Sequence, residues 1–500
     1  MNVAELALKS LEVGEHVSII FEGREITNKQ MSDAANRLGN GLKKMGIQRG
    51  DRVIVQMHNC PEVFQAFQAI WRIGAVIVPV NYLVGAEEIA YIYKDCGAST
   101  VISAPEYLDK VRAAQARVPG VKDVIIVSPD PVEGTISFND VLAGNSDKLE
   151  MVKTDDDELA TLIYTSGTTG TPKGVMLTHR ALIYNAECQE NTSQLKQDLI
   201  TIACLPLCHS FGIATMTSEA LRLKAKTIIL RSFDLEQLFS GIEKYKVDGM
   251  SAVPTMCIYM LNYPDAGKYD LSSLKIMSVG SAPMSLDTWK RFKEKFGVEI
   301  SEGWGLTEAG ANNSTSVHLT VKKAGSIGVP QKGVEMKIFD ENDNEVPQGE
   351  QGEIVLRGPM VMKGYWNHPE ATAEVIRNGW LHTGDIGYVD SDGYFFITDR
   401  KKDIIIKGGE NISPRTIEDV LHLHPKIAEA AVVGVKDALY GEEIKAFVTL
   451  KPAEAATTDD LMDFCKSNLK RFRVPKEIAI LDAMPKNLIG KILKKELRKM

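Results

Sequence analysis

Uninterrupted apolar runs are missing from this 500-residue sequence. The most apolar stretch, residues 66 to 83, is broken by Arg72 and Pro79, so nothing approaches the roughly 18 continuous residues of a membrane-spanning helix. Cysteine is scarce and scattered, with seven residues at positions 60, 96, 188, 204, 208, 257 and 465 and no C-x-x-C pair. That excludes a disulfide scaffold and fits reduced thiols in a cytoplasmic protein. Positive charge is not in excess: 58 Lys and Arg face 66 Asp and Glu, a net charge of −8. Binding a bare nucleic-acid backbone through global charge is thereby excluded. The opening "MNVAELALKSLEVGEHVSII" carries Glu5, Glu12 and Glu15 and lacks the basic leader and apolar segment of a secretory signal. Internal repeats and low-complexity tracts are also absent.

What is present is a globular composition, 44% hydrophobic and 25% charged, in a chain too long for one core, which rarely exceeds about 250–300 residues. Short β-branched runs at 52 to 57, 75 to 80, 99 to 103 and 124 to 128 alternate with helix-like segments at 31 to 45 and 59 to 73. The alternation predicts parallel sheet with covering helices. It continues through strands at 227 to 230, 249 to 253 and 275 to 280, and helices at 235 to 245 and 285 to 296. From 325 to 398 Gly and Asp become dense, strands shorten and turns such as "SDG" recur, which predicts a β-rich section. From Arg400 onward there are 20 Lys and Arg against 15 Asp and Glu, compared with 38 against 51 before it. The expected fold is α/β: a large N-terminal domain (1–399) of parallel-sheet α/β subdomains with a β-rich subdomain at about 325–399, then a small α+β domain (403–500). The basic small domain either meets phosphates or presents a solvated lysine-rich surface.

The most informative stretch is "TLIYTSGTTGTPKGVMLTHRAL", residues 161 to 182. An apolar strand runs into a loop with three glycines, five hydroxyls between Thr165 and Thr171, and Lys173. Backbone N–H groups and hydroxyls at Thr165, Ser166, Gly167, Thr168, Thr169 and Gly170, with Lys173 as a point charge, suit a phosphate cradle. A surface linker would not need this density of donors. The Walker pattern does not fit, because Gly170 is followed by Thr-Pro-Lys and not by Lys-Ser or Lys-Thr, so a kinase or GTPase is disfavoured.

"YTSGTTGTPKG" closely resembles the signature of the adenylate-forming enzymes, which include acyl- and aryl-CoA synthetases, peptide-synthetase adenylation domains and luciferases. The resemblance extends over nearly the whole chain. "EGWGLTEAG" (302 to 310) is similar to the family's aromatic-Gly-x-Thr-Glu motif, "WLHTGDIGYVDSDGYFFITDRKKDIIIKGGENISP" (380 to 414) to its domain-junction motif, and "PKNLIGKILKKELR" (485 to 498) to its C-terminal lysine motif. It implies that a carboxylate attacks the α-phosphate of ATP to give an acyl-adenylate and pyrophosphate, and that the thiol of coenzyme A then displaces AMP. Two anions must meet, so their repulsion has to be cancelled by Mg²⁺, lysine and N–H donors.

By this resemblance Thr165 to Lys173 hold the β- and γ-phosphates and Glu308 is the Mg²⁺ ligand, a hard oxygen donor suited to that ion. Asp385 takes both ribose hydroxyls and Arg400 reaches the nucleotide. Ser281, Ala282 and Pro283 line the adenine, with Gly303, Gly305 and Thr307 around Trp304, which stacks on the purine. Lys491 bridges carboxylate and α-phosphate. Residues 400–402 form a hinge pivoting at Lys402, which makes the small domain mobile, and Gly408 and Gly409 belong to the loop that rotation brings toward the adenylate, where coenzyme A passes.

His209 in "CLPLCHSFG" aligns with a gate position at the family's acyl pocket. The neighbouring Cys204 and Cys208 lack zinc-ligand spacing. No carboxylate in this stretch could pair an ammonium, which disfavours amino acids. Arg222 and Arg231 lie near in sequence, but nothing there places them in a pocket. Apolar segments at 253 to 260, 280 to 284 and 302 to 306 indicate a hydrophobic acid, fatty or alicyclic in preference to aromatic. An acyl-AMP ligase loading a carrier protein, a luciferase-like oxygenase and a non-catalytic relative are the competing readings. "DSDGYFFITDRKKD" runs through without the insertion expected of the first, nothing requires oxygen chemistry, and all five key polar residues are intact. No carrier domain follows Lys491, so a stand-alone synthetase is expected. Its oligomeric state is open, a homodimer being one option.

Overall fold

The computed structural model describes the chain apart from residues 167–170, 194, 283, 452–453 and 488–489. Among the described residues the strands form three sheets of eight, fourteen and five. The first is built on the early β-branched runs. Arg52–Gln56 lies between Val76–Pro79 and Thr100–Ser103, and all three run parallel. Their side chains are buried almost without exception, as expected of a parallel sheet covered on both faces.

Helix Asn28–Lys44 begins three residues before the apolar periodicity does, because Thr27 and Gln30 form a reciprocal capping box, which satisfies the first free N–H groups. Helix Pro61–Arg72 starts with proline, where a missing N–H costs nothing. It buries Phe67 and Trp71 completely, and the Trp71 indole donates to the Ala160 carbonyl at 2.9 Å, tying helix to sheet.

The second sheet carries a parallel half, from Val17–Phe21 through Lys226–Ile229, Ile200–Ala203, Gly249–Ala252 and Ile276–Val279 to Ile300–Trp304. The β-rich section does not stand apart from it. Ser314–Thr315 pairs antiparallel with both Ile300–Trp304 and Ser326–Pro330, and Ser326–Pro330 pairs with Phe395–Arg400. One continuous sheet therefore joins the two sections that composition separates, and the strand Trp380–Val389 lies within it.

The third sheet, from Ile405–Lys407 to Glu477–Ile480, is backed by helices Pro414–His422 and Thr458–Asn468. Among the described residues no helix is long and apolar enough to cross a membrane.

Candidate active site

A cavity of about 1880 Å³ opens where the three sheets meet, and it is lined by Lys173, His209, Trp304, Thr307, Glu308, Asp385, Arg400, Lys402 and Lys491. Thr165, Ser281, Ala282, Gly303 and Gly305 also face it. Of the predicted nucleotide residues, Gly167, Thr168, Thr169, Gly170 and Pro283 lie outside the described residues. Ser166 is described by its backbone only, paired with Pro172.

Lys173 does not stand in a loop. It opens the return strand Pro172–Thr178, opposite Thr165, in an antiparallel hairpin with Leu159–Ser166. Gly174 permits this approach, since a Cβ there would come within 2.9 Å of Leu162 and 3.2 Å of Tyr164 and Trp366. The Lys173 ammonium sits over the Tyr365 ring, 5.2 Å from its centre. Tyr365, in turn, donates its hydroxyl to Glu308 Oε1 at 2.9 Å. Sequence reasoning missed Tyr365 because it arrives from a two-residue strand, Gly364–Tyr365, laid against Val175 and Met176. No spacing in the sequence announces that contact.

Asp385 is almost fully buried, and both of its oxygens are engaged. Arg400 Nε donates to Oδ1 at 2.7 Å and the Trp304 indole to Oδ2 at 3.0 Å. The register that pairs Asp385 with Arg400 brings the first contact about. A carboxylate has about four lone-pair sites, so each oxygen keeps capacity for a further donor. The turn after Trp304 depends on Gly305, where a Cβ would fall 1.6 Å from the Ala311 carbonyl oxygen. Thr307 is held by Ser210, hydroxyl to hydroxyl, at 2.9 Å.

Lys491 reaches the cavity from a tight turn in which its N–H donates to Asn487 Oδ1 at 2.8 Å. Among the described residues the turn is tied to the large region by the bond from Thr255 Oγ1 to the Gly490 carbonyl at 3.0 Å. Burial, and next the nearby Arg400 guanidinium, pull the Lys491 amine down to about 8. Burial, then Arg400, lower Lys402 as well. His209 caps helix Ser210–Glu219 through Nδ1, which accepts from the Phe211 N–H at 3.2 Å. Burial and then Lys491 take its imidazole down to about 4, so it is neutral at physiological pH. Burial pushes the Cys204 and Cys208 thiols up to about 12. Thiols held protonated are poor nucleophiles. Gly408 and Gly409, with φ of +60° and +86°, form the turn between strands Ile405–Lys407 and Glu410–Ile412 and do not line the cavity.

Beyond His209 the cavity follows helix Ser210–Glu219, hereafter the cavity helix. Phe211, Thr215 and Glu219 face it on successive turns, and Arg222 continues the same stripe. Arg222 therefore belongs to the cavity wall, whereas Arg231 pairs with Glu22 and Glu106 on the surface. At the far end of the helix the wall is polar. There Arg222 Nη2 lies 2.8 Å from Glu190 Oε2. The Glu219 carboxyl is raised by burial and accepts from Thr227 at 2.8 Å.

Residues 9–366 match the model of the AMP-binding enzyme family and residues 416–491 that of the AMP-binding enzyme C-terminal domain. The chain is 35% identical to a long-chain-fatty-acid–CoA ligase of Bacillus subtilis (strain 168), over 97% of this chain and 91% of that protein. It is 37% identical to a feruloyl-CoA synthase of Amycolatopsis sp, over 95% and 94% of the two. Among solved structures, an anthranilate CoA ligase in complex with anthranoyl-AMP superposes with a TM-score of 0.94 at 29% identity, over 100% of this chain and 97% of that one.

Proposed function

Because the chain belongs to the AMP-binding enzyme family and is an AMP-forming acid–CoA ligase, we propose that it activates a fatty or alicyclic acid, with linear fatty acids favoured. One observation supports this reading above others: the stripe that lines the cavity runs past the whole cavity helix, from Phe211 to Arg222. Ten helical residues rise about 15 Å, which accommodates roughly twelve methylenes at ~1.25 Å each, given carbon–carbon bonds near 1.5 Å. A compact aromatic acid would fill the first turns alone.

In the first half-reaction a carboxylate oxygen attacks the α-phosphorus of ATP and the bond to pyrophosphate breaks. Lys491 supplies positive charge between the two anions, with Arg400 behind it, and these preorganised charges favour the transition state over the separated reactants. Asp385 holds the ribose hydroxyls through its remaining lone pairs. Trp304, fixed by its bond to Asp385, presents its face to the purine. Thr165, Ser166, Gly167, Thr168, Thr169 and Gly170 would cradle the β- and γ-phosphates beside Lys173.

Glu308 fits a Mg²⁺ ion: it is a hard oxygen donor, oriented by Tyr365 and facing the cavity. Among the described residues no three His, Cys, Asp or Glu side chains converge, so phosphate and water oxygens would complete the shell. Bound there, the ion would neutralise phosphate charge.

In the second half-reaction the thiol of coenzyme A attacks the acyl carbon and the bond to AMP breaks. Lys491 then has no role. Rotation of residues 403–500 about Lys402 would withdraw it and bring the Gly408–Gly409 turn toward the adenylate. His209, neutral and at the mouth of the acid chamber, acts as its gate.

The reading is tested by pyrophosphate release with ATP and Mg²⁺ over straight-chain, alicyclic and aromatic acids, with and without coenzyme A. CoA-dependent turnover that rises with chain length to about twelve carbons is expected from the ~15 Å chamber. Turnover confined to aromatic acids would reject the acid class, and release without coenzyme A would indicate delivery to another acceptor.

A further inference from the structure

The far end of the acid chamber is built differently from its walls. Arg222, the last residue of the helical stripe, is 3% exposed and lines the cavity. Its Nη2 has an ionic neighbour, Glu190 Oε2 at 2.8 Å, yet Nε and Nη2 make no hydrogen bond of acceptable geometry among the described residues, and neither does Glu190 Oε2. A buried guanidinium presents its donors in a fixed fork, and leaving them without acceptors costs more than the bonds themselves return. Of the other polar groups at this end, Ser193 Oγ has no partner among the described residues, whereas Gln189 and Glu219 are engaged. Gln189 Oε1 accepts from Ser218 and from Asn312 Nδ2, and Glu219 accepts from Thr227. Arg222 is thus the cation whose donors lack partners among the described residues, at the end of the stripe that an extended acyl chain would follow.

From this we infer that the acid carries an oxygen acceptor at its distal end, a hydroxyl, ether or keto oxygen, which Arg222 binds. This rests on the extended-chain reading proposed above. Glu190 already balances the guanidinium, so a neutral acceptor fits better than a second carboxylate, which would be buried with a net negative charge. A bare methyl terminus would instead leave the donors of Arg222 dry and unmatched. Hydrogen-bonding sites reject analogues that lack the bonded group far more strongly than apolar pockets reject an added one, so the terminus sets specificity as well as length.

The experiment compares dodecanoate, 12-hydroxydodecanoate and dodecanedioate as substrates of the full-length enzyme with ATP, Mg²⁺ and coenzyme A. The hydroxy acid is expected to exceed the plain acid in kcat/KM by about tenfold or more, within the range that hydrogen-bonded sites achieve. Arg222→Met should bring that ratio to about one or below. Because the ratio is taken between two acids on one preparation, it is independent of how much protein folds. Glu190→Gln, which removes the carboxylate paired with the guanidinium, should move preference toward the dicarboxylate. A wild-type ratio at or below one would overturn the inference while leaving the fatty-acid reading intact. An unchanged ratio in Arg222→Met, or no shift toward the dicarboxylate in Glu190→Gln, would overturn it too. Turnover of aromatic acids with none of these three substrates would instead remove the extended-chain reading on which it stands.

Discussion

At the mouth of the cavity, Arg400, Lys402 and Lys491 gather near the carboxylates of Asp385 and Asp403, and burial first, then the Arg400 charge, lowers the two lysines. At the far end, Arg222 has its own counter-ion, Glu190, supplied by helix His179–Ser193 within the same region. The cations at the mouth lie at residues 400 to 491, and Lys491 stands on a turn held to the large region by a Thr255 hydroxyl. Uncompensated charge is useful where two anions must be brought together, and it should be removable once they have reacted. Compensated charge is useful where a ligand must be recognised through hydrogen bonds alone.

The harshest way to break this comparison is Lys491→Ala. Acid-dependent adenylation should fall by about 10²–10³, the loss typical of one preorganised stabiliser, while thioester formation from supplied acyl-adenylate is largely kept. Equal loss in both assays would show that the mouth does not separate the two steps. Asp385→Ala should weaken ATP binding by roughly 1.5–3 kcal/mol, the range for hydrogen bonds to a charged group, or about ten- to a hundredfold. Isothermal titration would measure it, and unchanged affinity would remove Asp385 from the nucleotide site.

pH separates the two ends without mutation. The lowered Lys491 amine loses its proton as pH rises through about 8, so kcat/KM for adenylation should decline above that point, by up to about tenfold per pH unit. The preference among acids of different termini should stay flat over the same range, because Lys491 takes no part in the contacts at the far end. A ratio that follows the rate would mean that the ends are coupled. The smallest effect expected is that of Tyr365→Phe, which removes one hydrogen bond to Glu308. It should raise KM for ATP a few-fold, from about 0.5–1.5 kcal/mol, and a loss as large as that of Asp385→Ala would give Tyr365 a more direct role.

The periodic elements were legible at close to residue resolution. The strand expected at 75 to 80 spans Val76–Pro79, and the helix expected at 285 to 296 spans Leu286–Phe296, capped by Ser285. Local pattern carries such elements. The hairpin that places Lys173 on a strand, and the splice of the β-rich section into the second sheet at Ser314–Thr315, depend on partners distant in sequence, and local pattern is silent about both. At the mouth, motifs named the polar residues that the structure brings together around Asp385. At the far end no motif exists. Arg222 becomes a wall residue only because the cavity helix stops at Glu219 and the chain turns inward, through the bond from the Arg222 N–H to the Glu219 carbonyl at 3.0 Å. Tyr365 was likewise invisible, brought in by a pairing of two residues.

The second sheet also imposes an order in time. Strand Val17–Phe21 leaves the ribosome well before its parallel partner, Lys226–Ile229, which it meets in the register Ile20 opposite Ile228. At about 5–20 residues per second, the roughly 200 intervening residues take ~10–40 s to synthesise. For that interval "VSIIF" has only the short strand Arg24–Thr27 beside it, and its other edge is open to any chain that can pair with it. Stability of the finished enzyme does not report on this exposure. Yield during synthesis does, and it should respond to the nascent chain's escort and to translation speed well before it responds to changes around the cavity.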